Sequence, residues 1–222
     1  MMKHILILFW LVFSVSLLQG QSIKGAAIVG TNLSQVDGDE VYGFNKFGFN
    51  LGAAAIIPID KRWSISLETS YSEKGAFQGR QFAPPRDGSY LLKLNYAEVP
   101  VMLHFEDRET MTFGVGASWG RLVNMEEYEH GNQVPWQTLS GPYDTDDFNG
   151  IIDVRFRLYK RLWGNMRYVY SFSKIRTRVF EDITGHKWSR EQYNNFMSFR
   201  LIYIFNEKLD PAEQNRRSQS NN

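Results

Sequence analysis

The chain has 222 residues, with 25 Lys and Arg against 24 Asp and Glu, so one ordinary domain is expected and no global field draws it to nucleic acid. It contains no cysteine, which excludes disulfides, thiolate metal sites and a lipidated N-terminal cysteine together. Aromatic residues make up 15% of the chain, a density that suits β-strands and, in a membrane barrel, interfacial girdles.

In chain order, the first element is an export signal. Met1-Met2-Lys3-His4 is short and basic, and Ile5 to Leu18 is apolar apart from two serines. Gln19-Gly20 then offers a small residue before Gln21. This three-part layout predicts a signal peptide over 1–20, cleaved ahead of Gln21. The apolar run is shorter than the roughly 20 residues that a spanning helix needs. No later stretch comes closer, so an integral protein here has to be a closed barrel.

From residue 23 the apolar period is two, the spacing of half-buried strands. The Gly- and Ala-rich first segment, Ile23 to Leu33, is placed by its position. The second puts Phe47, Phe49, Leu51, Ala53, Ala55, Ile57 and Ile59 on one face, and the third Trp63, Ile65, Leu67, Thr69 and Tyr71. In the fourth, Leu92, Leu94 and Tyr96 give way to Val99, Val101, Leu103 and Phe105 one residue out of phase. With Pro100 beside it, that slip predicts a bulge near Ala97-Glu98. The fifth segment has Met111, Phe113, Val115, Ala117 and Trp119 opposite Thr112, Gly114, Gly116 and Ser118. The sixth runs from Phe148 to Leu158, the seventh from Asn165 to Ser173, and the eighth from Met197 to Phe205. The polar tail after it, 206–222, is expected to be disordered in the periplasm.

Connections fix the topology. Asp60 to Arg62, Glu106 to Glu109 and Tyr159 to Arg161 are short. Ser34 to Asn45, Gly75 to Ser89, Met125 to Asp147 and Lys174 to Gln192 are long. Strict alternation of the two kinds predicts an all-β, eight-stranded antiparallel transmembrane up-and-down β-barrel over 21–205, in the outer membrane of a Gram-negative bacterium. Its short turns would be periplasmic and its long loops extracellular. Large apolar faces suit lipid, and Gly, Ser and paired charges suit a narrow interior. Rims are expected at Trp63, Phe105, Trp163 and Phe205 on the short-turn side. On the long-loop side they are expected at Phe47, Tyr71, Tyr90, Trp119, Phe148 and Tyr193.

Counted up from the short turns, Glu68, Glu98 and Asp153 fall at the depth of Arg155, Arg167 and Arg200. Buried charges require partners, so these six predict a lumenal charge network that plugs the barrel. No catalytic site is expected. His104 lies toward the periplasmic end, while His130 and His186 lie in loops beside Ser140 and Ser189 without a spacing that enforces a triad. No HExxH, P-loop or dinucleotide fingerprint occurs, and no cofactor is implied. The third long loop gathers Glu126, Glu127, Glu129, Asp144, Asp146 and Asp147 without the order of a calcium loop, which reads as a solvated acidic loop rather than a metal site. The fourth carries Lys174, Arg176 and Arg178, with Lys187 and Arg190 beyond, and these are candidates for lipopolysaccharide phosphates. Lipid, lipopolysaccharide and other envelope proteins are the expected partners.

Three short motifs resemble the PorT-like outer-membrane β-barrel family over residues 23–205. Gly30-Thr31-Asn32-Leu33-Ser34 is similar to its Gly-x-Asn-x-Ser opening, and Tyr96-Ala97-Glu98-Val99-Pro100 to its Tyr-x-Glu-Ile-Pro strand, with Val99 for Ile. Phe113-Gly114-Val115-Gly116 resembles its Gly-rich fifth strand. The resemblance implies an eight-stranded outer-membrane barrel. The founding member takes part in a protein secretion and gliding system, and a secretion-accessory role for this chain would rest on analogy of fold. The residues alone favour a non-enzymatic structural or interaction protein. A narrow channel and a lipid-modifying enzyme are the alternatives.

Overall fold

The computed structural model describes residues 23–81, 88–107, 110–134, 143–181 and 184–207. The predicted signal peptide and the tail beyond Glu207 lie outside the described residues, as does Ser140. Ten strands form: β1 (Lys24–Asp37), β2 (Lys46–Pro58), β3 (Trp63–Gln78), β4 (Tyr90–Asp107), β5 (Met111–Glu129), β6 (Asn132–Gln133), β7 (Asp146–Tyr159), β8 (Leu162–Ser171), β9 (Arg176–Glu181) and β10 (Lys187–Ile204). Eight of them pair antiparallel in the order β1-β2-β3-β4-β5-β7-β8-β10, and β10 returns to β1 to close the ring. The remaining two stand on the long connections, β6 against the end of β5 and β9 against the start of β10. The predicted loop Lys174 to Gln192 is therefore largely a hairpin. Its charged residues masked the strand period, and main-chain pairing together with a Phe180–Trp188 ring stack at 5.9 Å carries it.

Closure fixes the stagger. Stepping across the pairs from Gly25 leads through Ala55, Leu67, Val101, Ala117, Gly150, Tyr170 and Asn195 to Gln35, ten residues higher on the starting strand. That offset over eight strands tilts them by about 40° and leaves an interior that side chains can fill.

The two faces divide as their chemistry requires. Phe49, Leu51, Leu67, Val101, Val115, Ile152, Met166 and Leu201 point outward and are exposed, whereas Asn50, Ser66, Glu68, Ser72, Asn149, Asn165, Ser171 and Ser198 point inward and are buried. A band of exposed apolar residues around the whole ring is a surface for hydrocarbon, not for water. At the outer rim, Trp119 keeps its ring on this band while its Nε1 donates to Asp146 Oδ1 at 3.1 Å. At the inner rim, Trp63 and Phe105 pack with ring centroids 5.1 Å apart. Lipid-facing glycines are covered by rings: a Cβ on Gly150 would meet Phe172, and one on Gly164 would meet Phe156.

Three expectations are corrected. The fourth segment carries no bulge at Ala97-Glu98: β4 pairs β3 in one register throughout, and the shift against β5 skips Val123 of β5. Leu92, Leu94 and Tyr96 point inward with the polar residues and build an apolar lumenal layer with Val36, Ala76, Tyr90, Tyr143 and Ile175. The phase change in the sequence marks an apolar patch of lumen, not a flipped strand. Tyr90 and Trp163 are not girdle residues either. Both are inside the barrel, 7% and 4% exposed.

The outward face of β10 gives a direct test. Leu201→Arg near the midplane should cost about 2–4 kcal/mol of folding free energy, measured by denaturant titration in lipid vesicles. A conservative Leu201→Ile should be nearly silent.

Candidate functional site in the barrel lumen

The strands carry their polar faces into a space with little room for water, so each ionised group there needs a partner within the wall. Glu68 on β3 is the hub. Its Oε1 accepts from Arg155 Nη2 at 2.9 Å and Arg167 Nη2 at 2.9 Å, and its Oε2 from Arg167 Nη1 at 3.0 Å and Arg200 Nη1 at 3.0 Å. Arg167 also donates from Nη2 to Asp153 Oδ2 at 2.9 Å, its direct cross-strand neighbour. Arg200 donates from Nε to Asn165 Oδ1 at 2.8 Å. Five of the six predicted network residues therefore meet in one layer.

Glycines make this layer possible. A Cβ on Gly30 would lie 2.8 Å from Arg200 Cγ, and one on Gly114 would meet Asp153 Oδ1 and lie 2.6 Å from His104 Cδ2. On Gly116 it would meet Met102 Sδ at 2.6 Å. The glycine-rich inner face of β5 is the recess into which neighbouring side chains pack.

Glu98 is the exception. It lies opposite Ser70, higher than Glu68, and contacts Lys74. Lys74 Nζ also donates to Asp147 Oδ2 at 3.0 Å and lies over the rings of Tyr96 and Phe196 at 4.5 and 4.6 Å. Asp147 further accepts from Ser171 Oγ and Asn194 Nδ2. Lys74 and Asp147, both with no exposed surface, are network residues that sequence reasoning missed. Between the two charged layers lie Met102, Ile151, Val169 and Phe196.

Above the apolar layer at Leu92 and Leu94, Glu127 takes a bidentate pair from Arg176 at 2.9 and 3.1 Å and accepts from the Tyr90 hydroxyl at 2.9 Å. Arg178 pairs with Glu129 and reaches Glu127 at 3.7 Å. Arg176 is 3% exposed, so this candidate for lipopolysaccharide faces inward and is already engaged. Lys174 is on the surface, paired with Glu191 at 3.2 Å. Of the six acids in the predicted solvated loop, Glu127 and Asp147 are instead buried in pairs with Arg176 and Lys74, while Glu126, Glu129 and Asp146 pair nearer the surface with Lys93, Arg178 and Arg121, and Asp144 is exposed. Among the described residues no cluster of His, Asp and Glu is arranged to hold a metal ion.

At the opposite end the chain folds under the barrel. Glu207 is 4% exposed and accepts from Arg157 Nη2 and Trp163 Nε1, each at 3.1 Å. Asn206 Nδ2 donates to the Ile23 carbonyl at 2.7 Å. The first two residues of the predicted disordered tail are therefore ordered, because a buried carboxylate closes the floor against Arg157.

The histidines fall as follows. His130 Nδ1 accepts from the Gly88 amide at 3.2 Å, and His186 packs against Trp188. His104 is 1% exposed, with Ser66 Oγ 3.5 Å from its Nδ1 and Asp153 Oδ1 3.4 Å from its Nε2. The order Ser, His, Asp is that of a nucleophilic triad. Ser66, however, has no exposed surface, and Asp153 is held by Arg167.

Two outcomes follow from these contacts. Glu68→Gln leaves three guanidinium groups around one remaining carboxylate and should cost about 3–5 kcal/mol. Combined with Arg167→Met it should cost less than the sum of the single changes in vesicle unfolding. Outside the membrane, in the β1–β2 connection, burial pushes the Asp39 carboxyl up to about 7. Its Oδ1 accepts from the Val41 amide at 2.9 Å. Between the ordinary carboxylate range and 7 the folded loop holds a proton that the unfolded chain has released. The contribution of Asp39 to folding stability is therefore greatest in acid, falls as pH rises through that window because burial penalises the ionised carboxylate, and is constant above it. The Val41 amide resonance should titrate with a midpoint near 7 and become flat in Asp39→Asn.

Ail, the attachment invasion locus protein of Yersinia pestis, is similar at 14% identity and a TM-score of 0.47, over 82% of this chain and 99% of that one. Neisserial surface protein A is similar at 13% identity and 0.45, over 84% and 99%. OprG of Pseudomonas aeruginosa is similar at 12% identity and 0.40, over 83% and 95%. No curated protein matches the sequence. The family model described as "Outer membrane protein beta-barrel domain" matches residues 20–176. With that match over most of the chain, the closed ring and the apolar belt, this chain belongs to the outer membrane protein beta-barrel domain family and resides in the bacterial outer membrane.

Proposed function

We propose that this chain is a non-enzymatic barrel whose transmembrane part is a sealed anchor and whose extracellular end serves interaction. The observation that carries this reading is the filling of the lumen by stacked layers of paired charges and apolar side chains. Glu68 and Asp153 meet Arg155, Arg167 and Arg200, and above them Glu98 and Asp147 meet Lys74. Four acids oppose four bases across the two layers, so no uncompensated charge is left to recruit ions. Burial of Ser66 and His104 argues against the lipid-modifying alternative, because a substrate ester would have to enter a packed interior to reach them.

The finer PorT-like assignment is part of the same proposal, and the motifs behind it have packing roles. Asn32 donates to Ser72 Oγ and the Glu73 carbonyl, each at 3.0 Å, and accepts from Ser198 Oγ at 2.6 Å. Tyr96 and Glu98 surround Lys74, and Gly114 and Gly116 give room to His104 and Met102. These residues account for a filled barrel without invoking secretion chemistry. Lipopolysaccharide contacts, in this reading, fall to Lys174 and Arg190, whose pairs with Glu191 and Glu40 lie at the surface.

Planar-bilayer recording tests the proposal. The protein should show no steady conductance. Stable single-channel currents whose ion selectivity changes in Glu68→Gln would replace the sealed anchor with the channel.

A further inference from the structure

We infer that the periplasmic mouth of the barrel is a binding site for a phosphate group. A cavity of about 120 Å³ opens at the short-turn end, lined by Lys24 of β1, Lys61 and Arg62 of the β2–β3 turn and Arg155 of β7. Arg155 spans the two environments. Its Nη2 is held by Glu68 at 2.9 Å, its side chain is 7% exposed, and its Nε has no hydrogen-bond partner. A buried guanidinium N–H without an acceptor is costly, and a ligand oxygen in the adjoining cavity would relieve that cost.

The surrounding charge favours an anion. Lys24, Lys61 and Arg62 make no ion pair among the described residues. Four cationic groups face three carboxylates on this wall, Asp60, Glu106 and Glu207, and Glu207 is already taken up by Arg157 and Trp163. The four cations come from three elements and line one space. That suits a tetrahedral group with several acceptor oxygens better than a planar carboxylate, which a single guanidinium fork already satisfies. The site also lies at the inner rim beside exposed Trp63, where the ligand chemistry has two sources: free phosphate in the periplasm and the headgroup of an inner-leaflet phospholipid. None of these groups belongs to the layers that seal the lumen except Arg155, which enters through its unused Nε.

The test is calorimetric titration of the full chain refolded in maltoside micelles, which contain no phosphate. One arm adds inorganic phosphate at constant ionic strength. The other adds short-chain phosphatidylglycerol, against the same lipid lacking its phosphate. Saturable binding is expected, weakened at least about tenfold in the exposed pair Lys61→Gln/Arg62→Gln and unchanged in Lys160→Gln on the neighbouring turn. Binding in the first arm identifies a free-anion site, and binding in the second alone identifies a headgroup site. Absence of saturable binding in both arms, or a loss in the double variant no larger than in Lys160→Gln, overturns the inference.

Discussion

The ring of eight strands closes with a ten-residue stagger, and nearly every other feature answers to the width of the lumen this leaves. Large side chains fit there only where the opposing wall is small. Arg200 lies against Gly30, Asp153 and His104 against Gly114, and Met102 against Gly116. Arginine on one strand and glycine on its neighbour are therefore a single packing unit. The glycines are required by close approach across the ladder rather than by backbone conformation, since none of these three has a positive φ.

Charge obeys the same limit. The lower layer holds Glu68 and Asp153 with three arginines, and the upper holds Lys74 with Glu98 and Asp147. Neither layer is neutral by itself, but the excess base of one offsets the excess acid of the other. In a medium of low effective dielectric such an offset acts over longer distances than it would in water. The apolar set Met102, Ile151, Val169 and Phe196 lies between them. An ion crossing such a stack would have to lose its hydration at the apolar layers and displace a pair at the charged ones.

Strand number, topology and the outward faces were legible because alternation, residue size and connection length all point the same way. The lumen was only partly legible. Asp153 and Arg167 are direct cross-strand partners, so counting from the turn finds them together. Glu98 and Glu68 are counted to similar heights, yet the register sets Glu98 opposite Ser70. Height along a strand is not height in a tilted barrel, and the stagger is invisible until the ring closes. Trp163, Tyr90, Leu92 and Leu94 depart from the sequence pattern for a different reason. A lumen this narrow also contains apolar layers, so an apolar residue on the polar face is not evidence of a flipped strand.

The wall is also uneven in height, and this bears on what the extracellular end can do. Strands β3, β4 and β5 have 16, 18 and 19 residues, whereas β8 has 10, close to what a tilted strand needs to cross the hydrocarbon. One side of the barrel therefore rises well beyond the membrane. The Glu127–Arg176 pair ties the β9–β10 hairpin to that wall across the barrel mouth, with Tyr90 and Tyr143 packed around it. A loop free to move would lose conformational entropy on meeting a partner, whereas a hairpin fixed by a buried bidentate pair has already lost it on folding. In the proposed reading the β9–β10 hairpin is thus a preorganised part of an interaction surface, and the filled lumen beneath it holds that surface outside the membrane.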